Sequence, residues 1–170
     1  MKYVVYWLLL MLALVLQTAG SPGILFFGFK PEILLLVTLL FAMLLDSPTG
    51  AIFGFMAGLM QDLVVGRFVT LYATCLMLMA IVVGFVTRRF YRENFIVRFF
   101  SLFLGTALTQ ILYLLGAASF GLSRTWTLDT WQAILMASIF NGLVGMLLFR
   151  PLAALNKRLV YLDELVKRTG

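Results

Sequence analysis

The sequence predicts an all-α integral membrane protein: a bundle of about six transmembrane helices in a single multi-pass domain over residues 1–170, ending in an amphipathic cytoplasmic tail. Three observations predict it. Of 170 residues, 63% are hydrophobic and only 12% charged, against roughly half and a quarter in a soluble domain, and the mean hydropathy is +1.06. The apolar residues gather into runs approaching the length of about 20 that crosses a bilayer. The lysines and arginines fall unevenly on the segments between those runs.

The first run covers residues 3–19. Lys2, the apolar stretch and Thr18-Ala19-Gly20-Ser21 also resemble a cleaved signal peptide, but the basic leader is thin and the run long for one. The second run, 33–45, rises only about 20 Å as a helix, short of a hydrocarbon core of roughly 30 Å. It either extends back through Phe26-Phe27-Gly28-Phe29 or pairs with the third run as a re-entrant hairpin. The third run, 50–65, follows Ser47-Pro48, read as an N-cap with proline at the first helical position. The fourth, fifth and sixth runs cover 69–87, 99–118 and 131–149, and a basic tail, 150–170, closes the chain. Ser21-Pro22-Gly23 and Ser119-Phe120-Gly121 are turn signals.

Orientation follows from the cations. With both termini in the cytoplasm, inner segments hold Lys2, Arg88, Arg89, Arg92, Arg98, Arg150, Lys157, Arg158, Lys167 and Arg168, and outer segments only Lys30, Arg67 and Arg124. That is a positive-inside bias. Trp126 and Trp131 suit the outer interface, and Tyr3, Tyr6 and Trp7 the inner one. The net charge of +6 is then charge facing anionic lipid, with no nucleic-acid partner implied.

The third run carries the most informative pattern. Gly50, Gly54, Gly58, Asp62 and Gly66 recur every fourth residue, so they share one row along a helix. In lipid, helices associate through close packing and polar contacts, which small-xxx-small steps permit. The row either packs inside the bundle or meets another subunit or partner helix. A carboxylate within a span is costly and turns toward the bundle or a cavity. Asp62 therefore serves a structural hydrogen bond or a ligand or partner contact; Arg67 and Arg124 are candidate pairs for it, and Gln110 and Asn141 offer a polar layer near mid-depth. In the tail, Leu152, Leu155, Leu159, Leu162 and Val166 form one helical face opposite Asn156, Lys157, Asp163, Glu164 and Lys167. Such a helix lies on the inner leaflet or docks a cytoplasmic partner.

Catalysis finds no convergent set of groups. Cys75 is the one cysteine and the chain has no histidine, so an intramolecular disulfide, an imidazole zinc site and a Ser-His-Asp triad are excluded. No second carboxylate within a span pairs with Asp62 for acid/base or metal chemistry. No catalytic residue, metal or cofactor is expected.

Lys30-Pro31-Glu32-Ile33-Leu34-Leu35-Leu36 and Gly50 through Gly58-Leu59-Met60-Gln61-Asp62-Leu63, with Gly66, the helix Leu71 to Gly84 and Arg88-Arg89-Phe90, resemble the rod shape-determining MreD family. Glu32 stands where aspartate is common, and Arg67-Phe68-Val69-Thr70 replaces a small-residue turn. The resemblance implies a non-catalytic subunit of the bacterial inner membrane that binds MreC, a single-span protein. Through it the subunit is tied to the MreB cytoskeleton, to RodA and its partner transpeptidase, and so to cell shape and peptidoglycan synthesis. The family is similar in fold to substrate-binding subunits of energy-coupling-factor importers, so a small-molecule-binding transport subunit is the alternative. Those subunits carry an Ala-x-x-x-Ala step on the first helix, and Ala13 and Ala19 have the wrong spacing for it. Monomer and homodimer both stay open.

Overall fold

In the computed structural model the described residues are 2–19, 32–66, 70–90, 94–121 and 127–169, the last with side chains to 165. They form six helices and no strand: α1 Lys2–Ala19, α2 Ile33–Leu44, α3 Ser47–Val65, α4 Leu71–Arg89, α5 Phe95–Ser119 and α6 Leu128–Thr169. Five of them, all but α2, are long and apolar enough to cross a membrane. The chain is a multi-pass membrane protein.

Helix α2 has 12 residues, a rise of about 18 Å. Its short length has a physical reason. Leu34, Leu35, Leu36 and every residue from Thr38 to Met43 are buried, and α2 touches all five other helices. A helix walled by protein need not match the bilayer thickness, because its neighbours face the lipid instead. The extension back through Phe26-Phe27-Gly28-Phe29 lies outside the described residues; within them α2 is a central post. Around it sit Leu10, Phe53, Leu76 and Leu102, with Tyr6, Phe41 and Phe53 ring to ring at 5.3–6.1 Å. Polar side chains in this apolar setting are satisfied locally. Thr38, Thr87, Thr109 and Ser138 each donate a hydroxyl to the carbonyl four residues back, all at 2.7 Å.

The start of α3 differs from its reading as a Ser47 cap. Gly50 N–H already bonds to the Asp46 carbonyl at 2.8 Å, so Asp46 is the cap position and Ser47 lies within the helix. The Asp46 side chain accepts from the Thr49 hydroxyl at 2.9 Å instead of from the backbone. Helix α5 also starts earlier than expected, at Phe95, because the Asn94 side chain accepts from the Ile96 N–H at 3.1 Å. That cap draws Arg98 out of the connecting segment and onto the helix, where its guanidinium lies 4.6 Å from the centre of the Phe149 ring.

The last span and the tail are one helix. α6 runs 42 residues, about 63 Å at 1.5 Å per residue, straight through Pro151, which forgoes one backbone hydrogen bond. Leu152, Ala153 and Leu159 pack onto the core, Tyr6 Oη donates to Asn156 Oδ1, and Lys2 pairs with Asp163 at 3.7 Å. The tail therefore continues α6 and packs against the start of α1. The predicted face is also rotated. Leu162 is exposed, while Asn156 and Asp163, read as the outer side, turn to α1. A three-four spacing repeats every 3.5 residues and drifts off a straight helix of 3.6.

Candidate functional site

The glycine row of α3 meets the chain's own helices. A Cβ on Gly58 would lie 2.7 Å from the Ala73 nitrogen and nearer still to its Cα. One on Gly54 would lie 2.9 Å from the Leu76 carbonyl oxygen, and one on Gly50 3.3 Å from Ala42 Cα. Moving along α3 from Gly54 to Asp62, the partners on α4 run backward from Ala80 to Tyr72, so α3 and α4 are antiparallel with touching backbones. Within the chain, α2 packs against Gly50 and α4 against Gly54 and Gly58. Gly66, the last of the row, is used differently. At φ 66° it ends α3 in the left-handed conformation, its N–H on the Asp62 carbonyl at 2.8 Å, with open space around it.

Asp62 sits one turn beyond Gly58, where the close approach has brought the first turn of α4 within reach. It is buried. Its Oδ1 accepts the Tyr72 N–H at 3.3 Å and its Oδ2 the Ala73 N–H at 3.1 Å. These N–H groups lack partners within their own helix, and the positive end of the helix dipole favours an anion there. A carboxylate from one membrane helix thus caps another. Arg67 and Arg124, the candidate pairs, lie outside the described residues, as do Lys30, Trp126 and Arg92.

Beside Asp62 the bundle opens into a cavity of about 460 Å³. Helix α2 contributes Glu32 at its N-terminus, α3 Gln61 and Asp62, α4 Tyr72, α5 Gln110 and Tyr113, and α6 Asp129, Thr130 and Ala133. Tyr72 donates its hydroxyl to Glu32 Oε2 at 2.8 Å and sets its ring edge-on to Tyr113, centroids 5.4 Å apart. Gln17 of α1 ties the rim together: its Nε2 donates to Gln61 Oε1 at 3.0 Å and its Oε1 accepts the Leu34 N–H at 2.9 Å.

The model of the family described as rod shape-determining protein MreD matches residues 1–158. The chain belongs to the MreD family. No curated protein and no solved structure matches it significantly.

In this MreD-family chain the candidate residues divide between two ends. Gln110 lies on the cavity wall, whereas Asn141 is fully buried one helical turn away, its Nδ2 donating to Thr106 Oγ1 at 3.2 Å. Gln110 and Asn141 hence form two polar sites rather than one layer. The opposite end of the bundle is basic. Arg88 and Arg89 close α4, Arg88 Nε donating to the Gly84 carbonyl at 2.9 Å, and exposed Lys157 and Arg158 lie on the far part of α6. Tyr72, Tyr113 and Asp129 escaped the sequence reading. Each is unremarkable in its own segment, and only the convergence of α2 to α6 joins them.

Proposed function

We propose that this chain is a non-enzymatic membrane subunit of the bacterial cell-elongation machinery, seated in the inner membrane with its basic end and both termini in the cytoplasm. The family match over residues 1–158 carries the reading. Its partner is an MreC-like single-span protein, and through it the chain is linked to MreB, RodA and a transpeptidase in the control of peptidoglycan synthesis. The geometry supports a rigid scaffold. The polar groups that membrane chemistry would use are instead engaged in holding helices together, Asp62 on the end of α4 and Gln17 on Gln61 and Leu34. Because α4 and α2 fill the glycine row, the partner helix packs on the lipid-facing perimeter, with further contacts at the acidic end.

Depletion in a rod-shaped host is expected to give rounded cells, and purification from native membranes to recover an MreC-like chain. Intact cell shape on depletion, together with a vitamin co-purifying stoichiometrically, would overturn this reading in favour of an importer subunit.

A further inference from the structure

A second recess, of about 410 Å³, lies between α4 and α5 and reaches the basic end of the bundle. Val83, Val86 and Phe90 line it from α4, and Ser101, Leu104 and Leu108 from α5. Val82, Phe100, Leu104 and Leu108 along it are exposed, so the groove opens sideways to lipid. Its length selects the occupant. Along α4 the lining runs from Met79 to Phe90, a rise of about 17 Å. That is close to half of a hydrocarbon core of about 30 Å. A seat for a partner's spanning helix would run the whole depth, whereas an acyl chain of one leaflet ends where this groove ends.

Two polar features mark where the rest of such a lipid sits. Thr38, Thr87, Thr109 and Ser138 each donate to the carbonyl four residues back. Ser101 is as buried, at 8% exposure, and lines the groove, yet its hydroxyl makes no hydrogen bond among the described residues. A hydroxyl left unpaired in an apolar setting calls for a polar occupant. Val83 lies 3.0 Å from the position of a Cβ on Gly105, so in this antiparallel pair Ser101 is level with Thr87, a half-turn inside Arg89. Arg89 is exposed and has no partner among the described residues. The sequence settles the charge of the connection: residues 88–98 hold Arg88, Arg89, Arg92 and Arg98 against Glu93 alone. Of the other acids at this end, Asp46 accepts from Thr49 and Asp163 pairs with Lys2.

We propose that this groove holds one anionic phospholipid, with an acyl chain between α4 and α5, an ester carbonyl accepting from Ser101 and the phosphate on Arg89. A guanidinium grips phosphate through paired N–H donors. A zwitterionic headgroup gains less, because its own cation opposes the positive connection. The site does not rest on the scaffold reading, since lipid binding is measured on the chain alone.

The test uses the full chain in phosphatidylcholine nanodiscs in which a rising share is replaced by phosphatidylglycerol. Thermal unfolding is followed at fixed ionic strength, and the midpoint is expected to rise saturably. Arg89→Gln moves half-saturation about tenfold, as loss of a charge-assisted hydrogen bond does, and Ser101→Ala moves it about threefold. Arg158→Gln, an exposed basic position on the tail, leaves it unchanged. Leu104→Trp, which fills the groove, abolishes the rise. Should Leu104→Trp fail to fold, Arg89→Gln at its exposed position still decides. A rise that never saturates, or that Arg158→Gln reduces as much as Arg89→Gln does, reports surface charge alone and overturns the proposal. So does the absence of any rise. A photo-crosslinking residue at Leu108 in native membranes is expected to give lipid adducts; a protein adduct in their place assigns the groove to a partner helix and overturns the proposal.

Discussion

Asp62 Oδ2 accepts the backbone N–H of Ala73 at 3.1 Å, from a helix that begins only nine residues after Asp62 along the chain. The bond exists because Gly58, one turn earlier, lets the Ala73 backbone approach. Each feature depends on the other: the glycine sets the distance, and the carboxylate satisfies the helix end that the distance exposes.

Removing the carboxylate therefore strands two buried N–H groups. Asp62→Leu is expected to cost about 2–4 kcal/mol, the penalty of buried donors left unpaired. Asp62→Asn keeps one acceptor oxygen and is expected to fall between Leu and the parent. Thermal unfolding in detergent gives the order; equal midpoints for all three would show that the cap contributes nothing.

The glycine row should respond in graded fashion. Gly58→Ala puts a methyl into the Ala73 backbone, Gly54→Ala meets Leu76 and Ala80 at 2.9 Å, and Gly50→Ala meets Ala42 at 3.3 Å. Backbone cannot rotate away as a side chain does, so overpacking of about 1–3 kcal/mol is expected at Gly58, less at Gly54 and least at Gly50. Any other order in folded yield or unfolding midpoint contradicts the α3–α4 packing.

How far the sequence foretold this arrangement depends on whether the signal was local. The four-residue spacing of Gly50, Gly54, Gly58 and Asp62 is a property of one helix, so it could be seen without knowing the neighbour. That α4 is the neighbour, and that its N-terminus is what Asp62 meets, is a tertiary fact. Hydropathy likewise shows α2 to be apolar without showing whether lipid or protein surrounds it. The meeting of Glu32, Tyr72, Tyr113 and Asp129 needs four helices at once, and no pattern within any one of them marks it. Pro151 lies inside α6. That α6 continues past this proline is also a tertiary fact, since Leu152, Ala153 and Leu159 gain core contacts beyond it.

Orientation is open to a direct measurement. Cys75, the single cysteine, is buried, so new cysteines can be read with little background. Arg92→Cys is expected to label from the cytoplasmic side and Arg124→Cys from the opposite one, following the lysine and arginine asymmetry. Labelling of both from one side would refute the proposed topology.

The long α6 makes a last prediction that separates a docked tail from a free one. Tyr6 is almost wholly buried, at 1% exposure, and its hydroxyl reaches Asn156 across 150 positions of sequence. Lys2 and Asp163 also join α1 to the tail, but in a setting with 25% and 18% of their side chains exposed. A hydrogen bond from a buried donor is little affected by salt, whereas a partly exposed ion pair contributes up to about 1 kcal/mol and is screened. Tyr6→Phe removes this part-buried hydrogen bond to Asn156, at a cost of about 0.5–1.5 kcal/mol. Hydrogen exchange over residues 152–163 should consequently quicken in Tyr6→Phe at all ionic strengths. Asp163→Asn should quicken it slightly, and only at low salt. If the tail instead lies free on the membrane, exchange there will be unaffected by Tyr6→Phe and will depend on lipid charge, because only the leaflet would then protect it.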